Sequence, residues 1–199
     1  FFSTIFAIIN INNNNIIKGI YIEDIEVSNL SKEDINNFIN KKVSEIENIE
    51  VYYDSYNEVI KLKDIGIKID GKKAINQAIS IGKSNNILID NFSILKSILF
   101  KTNIELDIEI DEEKFSEMTK NIQAEIPEKI EQYSYEIKGD ELIITNGKSG
   151  RAVIQDKLQD AIVNNVKKQF NGNKETIEVP VKFEEPQKIN IEKIYEEIF

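Results

Sequence analysis

The chain of 199 residues contains no cysteine and no histidine. Without thiol or imidazole groups, these residues cannot form a disulfide, a cysteine nucleophile, a Ser-His-Asp triad or a histidine-ligated zinc site. Tryptophan is also absent and there are 7 Tyr, so platforms on which a sugar ring could stack are scarce. We therefore expect a protein that is not an enzyme and that uses no cofactor.

The sequence has few positive charges, with 25 Lys and Arg, 35 Asp and Glu, and a formal net charge of −10. The negative electrostatic potential of such a protein repels phosphate backbones, so no nucleic-acid partner is expected. The carboxylates of Glu23-Asp24, or those of Glu105, Asp107 and Glu109, are candidates for an acid/base pair or a hard-metal site. The alternate spacing of the last three is typical of a solvated strand face, and no metal site is predicted.

A long apolar run is missing as well. The first eleven residues, Phe1–Ile11, are apolar and bulky, but a helix that crosses a bilayer needs roughly 20 residues. Two interpretations remain open from the composition, namely the outer end of a trimmed membrane anchor and a buried element of the core. The asparagine run Asn12–Asn15 and the residues up to Lys18 are typical of a linker.

The first part of the chain alternates between strand and helix patterns. Alternating apolar residues predict a strand over Ile20–Val27, and Ser31 followed by Asp34 forms a capping-box pattern that predicts a helix start. The apolar stretch Ile87–Phe100 has no Pro or Gly and predicts a buried helix or a strand-helix crossover. Between them we predict a hairpin over Ile49–Tyr53 and Val59–Leu62, a strand over Asp64–Asp70, and a helix that starts at Asp70 or Gly71 and ends at Gly82.

The second part shows the same plan. Strict alternation of apolar and acidic residues from Ile104 to Ile110 predicts one continuous strand, and Asp111 is predicted to cap a helix that Pro127 interrupts. The remaining predicted elements are strands around Tyr133–Ile137 and Glu141–Thr145 with a turn at Lys138-Gly139-Asp140, a helix from about Val153 to Phe170, a strand over Ile177–Phe183 and a helix over Ile189–Phe199.

Each part has the order strand, helix, hairpin, helix, and Asp64-Ile65-Gly66 aligns with Asn146–Gly150, which suggests an internal duplication. We predict an α+β fold of mixed sheets with packed helices, in two related halves at about 19–86 and 103–186 whose strands pair partly across the halves. Residues 1–18 would be the anchor end and linker, 19–186 the folded module, and 187–199 a helical connector to a further domain.

Two polar, glycine-containing loops are the candidate ligand-binding sites. The first contains Gly82, Lys83, Asn85 and Asn86, whose polar groups could donate hydrogen bonds, although an ordinary helix cap and turn has the same composition. The second contains Gly147, Lys148, Gly150 and Arg151, and resembles a phosphate cradle. Two residues separate its glycines where a Walker loop has four, so a turn and helix start is the stronger interpretation, with anion capture as the alternative.

Several short motifs, taken in order, resemble the VanW family. The stretch Gly19–Asp34 is similar to the family's G-V-x-I-x-G-I-D-V-S-G-L-T-x-E-E-A segment, with Asp24 and Asn29 where that pattern has Gly. Three further motifs are Lys63–Ile67, similar to L-G-I; Ala78–Asn86, similar to A-x-x-I-G-R-x-G-N with Lys83 for Arg and Asn85 for Gly; and Asn146–Gly150, similar to G-x-x-G.

This resemblance implies the module known as a peptidoglycan-binding domain, which precedes the VanW domain in some proteins and an L,D-transpeptidase domain in others. It implies a single-pass membrane anchor formed by an N-terminal helix mostly absent from this chain, a position on the extracytoplasmic side of the cell membrane, and peptidoglycan or another cell-wall component as the partner. The alternative is a structural spacer or protein-interaction domain that positions a downstream domain.

Overall fold

The structure is a computed structural model and describes residues 14–139 and 141–198. Within these residues the chain forms twelve strands and six helices, which confirms the predicted α+β class. The helices are α1 (Lys32–Ser44), α2 (Gly71–Ser80), α3 (Ile87–Phe100), α4 (Glu112–Glu125), α5 (Gln155–Phe170) and α6 (Ile191–Ile198). The strands are β1 (Ile20–Ile22), β2 (Ile25–Glu26), β3 (Asn48–Tyr53), β4 (Tyr56–Lys61), β5 (Ile67–Asp70), β6 (Thr102–Ile104), β7 (Asp107–Ile110), β8 (Ser134–Lys138), β9 (Glu141–Thr145), β10 (Gly150–Val153), β11 (Thr176–Glu178) and β12 (Val181–Glu184).

The strands form five small sheets and no single large one among the described residues. Two sheets have three strands, in the orders β2-β1-β6 and β11-β3-β4, and the pairs β5-β7, β10-β12 and β8-β9 complete the set. The pairings β1 with β6 and β3 with β11 are parallel, and β5 with β7 is antiparallel. Each of these joins an early strand to a late one, which confirms that strands pair across the two predicted halves.

Local side-chain chemistry fixes the helix starts. Ser31 caps α1, because its Oγ accepts a hydrogen bond from the Asp34 N–H at 3.1 Å and donates one to the Asp34 carboxylate at 2.7 Å. Asp70 caps α2 and Asp111 caps α4 through the backbone N–H groups of Lys72 and Lys114. The predicted caps at Ser31 and Asp111 are confirmed, and α4 ends before Pro127 as expected.

One hydrophobic core connects both halves. Ten of the twelve largest fully buried side chains among the described residues come from α1, α4, α5 and the strands β1 and β3, and these ten are Phe115, Phe170, Ile20, Ile22, Ile35, Ile39, Ile49, Ile122, Leu158 and Ile162. Ile16 and Ile17 are also buried in this core, although the sequence pattern assigned them to a linker. The predicted segment Phe1–Ile11, the turn residue Asp140 and the final Phe199 lie outside the described residues.

The predicted continuous strand from Ile104 to Ile110 is wrong. Strand β6 ends at Ile104 and pairs with β1, whereas β7 begins at Asp107 and pairs with β5, so the chain changes sheets at Glu105 and Leu106. The crossing is held by the Glu23 carboxylate, which accepts a hydrogen bond from the Leu106 N–H at 2.7 Å. The predicted strand Ile177–Phe183 is divided in the same way into β11 and β12, because Pro180 has no N–H to continue a ladder.

Two further predictions need correction. Residues 150–153, expected to start a helix, form strand β10, which pairs with β12, and α5 begins at Gln155. The stretch 87–100 is helical, as one of the two alternatives predicted, but it is not a buried helix, because most of its apolar side chains are exposed.

No helix in the part of the chain that the structure describes is both long and apolar enough to cross a membrane.

Three of the residues that depart from glycine in the VanW-like motifs adopt left-handed backbone conformations. Asp24 has φ 64°, Asn29 φ 65° and Asn85 φ 64°. Asn and Asp tolerate this region better than other residues with a side chain, but glycine enters it without steric cost. The substitutions therefore preserve the turns that the motif's glycines would make.

We expect the double variant Asn29→Gly/Asn85→Gly to raise the free energy of unfolding by about 1 kcal/mol, because both strained left-handed residues are relieved. Urea denaturation monitored by circular dichroism measures the change. Asn164→Gly is the matched control, since Asn164 is an exposed residue of the right-handed helix α5 and its replacement should destabilise by about 0.5 kcal/mol. Equal effects of the two changes would contradict the backbone explanation.

Candidate functional site

The first predicted loop, residues 82–86, forms the turn between α2 and α3. The Asp90 carboxylate accepts hydrogen bonds from the N–H and the hydroxyl of Ser84, both at 2.7 Å, and the Asn86 side chain caps α3. The Lys83 ammonium donates to the Asn15 carbonyl at 2.8 Å, and burial lowers the pKa of Lys83. Most polar groups of this loop therefore serve the turn itself, although Ser84, Asn85 and Asn86 are all exposed.

The second predicted loop, residues 147–151, packs against residues 128–131. The Lys148 N–H donates to the Glu131 carbonyl at 2.8 Å and the Arg151 N–H donates to the Glu128 carbonyl at 2.7 Å. A Cβ added at Gly150 would lie 2.4 Å from the Glu128 carbonyl oxygen, so only glycine fits there. Because these two backbone N–H groups already have partners, neither can help to hold an anion.

The two loops have different neighbours. Loop 82–86 contacts Asn15 and α3, whereas in the second loop Gly147 packs against Pro186 and the Arg151 guanidinium lies 5.8 Å from the centre of the Phe183 ring. The contacts of the two loops thus lie in different parts of the fold and do not point to one shared site.

A groove that sequence patterns did not indicate lies between strand β4 and helix α4. Its volume is about 380 Å³. Strand β4 supplies one wall, α4 the other, and the turn after β4 the floor. The lining residues are Glu58, Val59, Ile60, Lys61, Asp64, Ile65, Lys114, Glu117, Met118 and Asn121.

One wall of this groove is the edge of a sheet. Strand β4 lies at the end of the order β11-β3-β4, and its register with β3 pairs Asn48 with Lys61. The Leu62 N–H donates to the Glu47 carbonyl, and in an antiparallel ladder every second residue is hydrogen-bonded to the partner strand in this way. Counting back from Leu62, the backbone N–H and C=O groups of Val59 and Asn57 therefore point away from β3. Such an edge can pair with an extended peptide.

The charges along the groove are mixed. Lys61 and Lys114 lie among Glu58, Asp64 and Glu117, while Val59 and Met118 provide apolar surface. At the start of β4, the Tyr56 hydroxyl donates to the Glu58 carboxylate, and burial together with this hydrogen bond raises the pKa of Tyr56. The groove therefore suits an extended ligand that carries both amines and carboxylates.

Two other cavities lie elsewhere among the described residues. One, of about 360 Å³, lies between the end of α1 and strand β5, and the other, of about 240 Å³, lies between α5 and β11. The first is lined by residues between 43 and 69 and the second by residues between 161 and 178, and β11 is the other edge strand of the sheet that contains β4.

The fold brings two of the acidic residues considered for acid/base or metal chemistry, Glu23 and Glu105, to the same lysine, Lys167. Glu23 is buried, and burial raises the pKa of its carboxyl despite the Leu106 N–H and the Lys167 ammonium 3.8 Å away. The Glu105 carboxylate also pairs with Lys167, whereas Asp107 pairs with Lys73 at 2.9 Å. Among the residues that the structure describes, no three acidic side chains are grouped so as to hold a metal ion.

The fold and its groove define a small α+β module with a cleft between an edge strand and a helix. Comparison with protein families finds a match over residues 58–174 to the family described as "Putative peptidoglycan binding domain". This match covers more than half of the chain, and the protein belongs to that family. No curated protein and no solved structure matches the chain.

All residues that line the β4–α4 groove lie within the matched segment 58–174, and so do both predicted loops. The cavity beside α1 includes residues 43–48 and the cavity beside α5 includes residues 176–178, which lie outside it. The groove was missed because it depends on the position of α4 relative to β4, which periodicity does not specify. The sequence carried no signal for it, because the exposure of residues 57–59 in β4 is known only from the structure.

Proposed function

We propose that this protein is a non-catalytic, peptidoglycan-binding module of a membrane-anchored cell-envelope protein, located on the extracytoplasmic side. The observation that carries the proposal is that every residue lining the β4–α4 groove, including its two lysines and three carboxylates, lies within the segment that matches the peptidoglycan-binding family. A non-catalytic role is supported by the absence of Cys and His from the sequence.

The stem peptides of peptidoglycan suit this groove chemically. They are extended chains that carry carboxylates and amines on a neutral sugar backbone, so they can bind a protein with net charge −10 without a large repulsion. The outward backbone groups of Val59 and Asn57 would pair with the peptide, and Lys61, Lys114 and Glu117 would contact its charged groups. An N-terminal apolar segment such as Phe1–Ile11 supports attachment to a membrane beside the wall.

Glu117→Trp is expected to weaken binding to purified sacculi about tenfold, or about 1.4 kcal/mol, because the indole would fill the groove. Cosedimentation with sacculi at low and moderate salt measures the affinity. Glu113→Trp is the matched control, because Glu113 lies one helical turn earlier on α4 and is exposed but does not line the groove.

Three outcomes are informative. Loss of sacculus binding in Glu117→Trp, with binding retained in Glu113→Trp, would support the groove as the binding site. Equal binding by both variants and the wild type would place binding elsewhere, and the loops 82–86 and 147–151 would be mapped next. A wild-type protein that stays in the supernatant at low salt would contradict wall binding and favour the structural spacer.

A further inference from the structure

Helix α3 buries two polar residues against the protein and has most of its apolar side chains exposed. Its buried residues are Asp90, Ile94 and Ser97. In contrast, Leu88 is 82% exposed, Phe92 70%, Leu99 62% and Phe100 75%. This is the reverse of an ordinary surface helix, whose apolar stripe faces the core.

The exposed side chains form a continuous strip. At about 100° of rotation per residue, Leu95, Leu88, Leu99 and Phe92 follow one another within a narrow arc, opposite the buried residues. Ile89, Ile98 and Phe100 widen this strip, and each is at least 50% exposed. We call these seven residues the α3 strip. It is wider than the seam by which two helices pair in a coiled coil.

The exposed charges on α3 and directly after it are basic. Asp90 is the one acidic residue of α3, and it is fully buried with its Oδ1 bonded to Ser84. Lys96 lies within the exposed face, and Lys101 follows the helix with its ammonium 4.9 Å from the centre of the Tyr21 ring. An apolar strip with lysines and no exposed carboxylate on the same helix is the composition of helices that lie at a membrane surface.

The chain enters the folded module against this same helix. Gly82 is packed between Ile94 of α3 and Ile17, and a Cβ at Gly19 would lie 2.0 Å from the Ser97 carbonyl oxygen. Upstream, Asn12–Asn15 separate the apolar segment Phe1–Ile11 from Ile16. Four residues span at most about 14 Å when extended, so the spacer between the apolar segment and Ile16 is short.

We propose that α3 is an interfacial helix whose apolar strip lies in the headgroup region of a lipid bilayer. The proposal rests on the proposed location of this protein beside a membrane, and it adds a second contact that fixes the module's orientation. With α3 on the lipid, the Lys96 stem lies along the apolar surface and its ammonium reaches the headgroups. A single exposed helix of this kind would bind weakly alone and firmly when the chain is already tethered.

Vesicle cosedimentation tests the strip directly in the 199-residue chain. The variant Phe92→Gln/Leu95→Gln/Leu99→Gln keeps good helix formers on α3 and is expected to lower partitioning onto phosphatidylcholine vesicles about 100-fold. The control Ile137→Gln/Ile143→Gln/Phe183→Gln removes three exposed apolar side chains elsewhere and should bind as the wild type does. Adding phosphatidylglycerol in equal parts should change binding little, because the repulsion of the net charge of −10 opposes the attraction of Lys96 and Lys101.

The absence of tryptophan permits a second measurement that separates α3 from the segment Phe1–Ile11. A single Trp introduced by Phe92→Trp should shift its emission to the blue on vesicles and be quenched by lipids with brominated acyl chains. A single Trp introduced by Phe183→Trp, at an exposed site on β12, should show neither effect.

Loss of vesicle binding by the α3 triple variant together with quenching at position 92 would support the proposal. Vesicle binding without quenching at position 92 would overturn it, because the apolar N-terminal segment would then act alone. Failure to bind vesicles would also overturn it, as would a wild-type dimer that the triple variant converts to a monomer, since the strip would then join two copies. Sacculus binding should be equal in the wild type and the triple variant, so that failure here is distinct from failure of wall binding.

Discussion

Replacing Gly19 with alanine is expected to lower the free energy of unfolding by about 4 kcal/mol. Gly19 has φ 81°, and an added Cβ would lie 2.0 Å from the Ser97 carbonyl oxygen and 2.6 Å from the Ser97 carbonyl carbon. The left-handed backbone and the collision with another part of the main chain each cost on the order of 1–3 kcal/mol. The collision cannot be relieved by rotating a side chain, because both obstructing atoms belong to the backbone of α3.

Gly172→Ala provides the control for this result. Gly172 has φ 87°, close to that of Gly19, but no atom lies within 4 Å of an added Cβ. Its replacement should therefore cost the backbone strain alone, on the order of 1 kcal/mol. Urea denaturation of both variants measures the difference, and equal losses would contradict the close contact between Gly19 and α3.

The second large effect is expected at Glu23. This carboxylate is 6% exposed and accepts the Leu106 N–H at 2.7 Å, where the chain passes from β6 to β7. Glu23→Ala leaves that buried N–H without its acceptor and removes one of the negative groups near Lys167, for a loss of about 3 kcal/mol. Glu23→Gln keeps an oxygen acceptor and should remain within about 1 kcal/mol of the wild type.

The wild type and Glu23→Gln can also be compared for the pH dependence of their stability. Burial raises the pKa of Glu23 in the folded state above its usual value of 4.5, so the folded protein holds this proton more tightly than the unfolded chain. The associated stabilisation is fully present below the unfolded pKa and is lost as the pH rises through the folded pKa. Relative to Glu23→Gln, the wild type should lose stability across this window. A difference that is independent of pH would contradict the raised pKa.

Features fixed by neighbouring residues were predicted from sequence. Ser31 and Asp111 cap helices through N–H groups three residues away, and the hairpin of β3 and β4 forms around a two-residue turn. These interactions need only local geometry, so the spacing of residue types is enough to indicate them.

Features fixed by distant residues were not predicted. The break between β6 and β7 depends on Glu23, which is remote from Leu106 in sequence, so the alternating pattern of 104–110 looked like one strand. Helix α3 is apolar around most of its circumference, and periodicity then cannot tell which side faces the core. The β4–α4 groove depends on the packing of two elements separated by the whole of α2, α3 and the intervening strands.

The parallel pairing of β3 with β11 has a consequence for how the chain folds during synthesis. In this register Glu50 lies opposite Thr176 and Tyr52 opposite Glu178, so the central strand of this sheet has one of its two neighbours only after almost the entire module has been synthesised. Contacts that are so remote in sequence form late and slow the folding of a domain. The nascent chain therefore cannot complete this three-stranded sheet until residues 176–178 have left the ribosome.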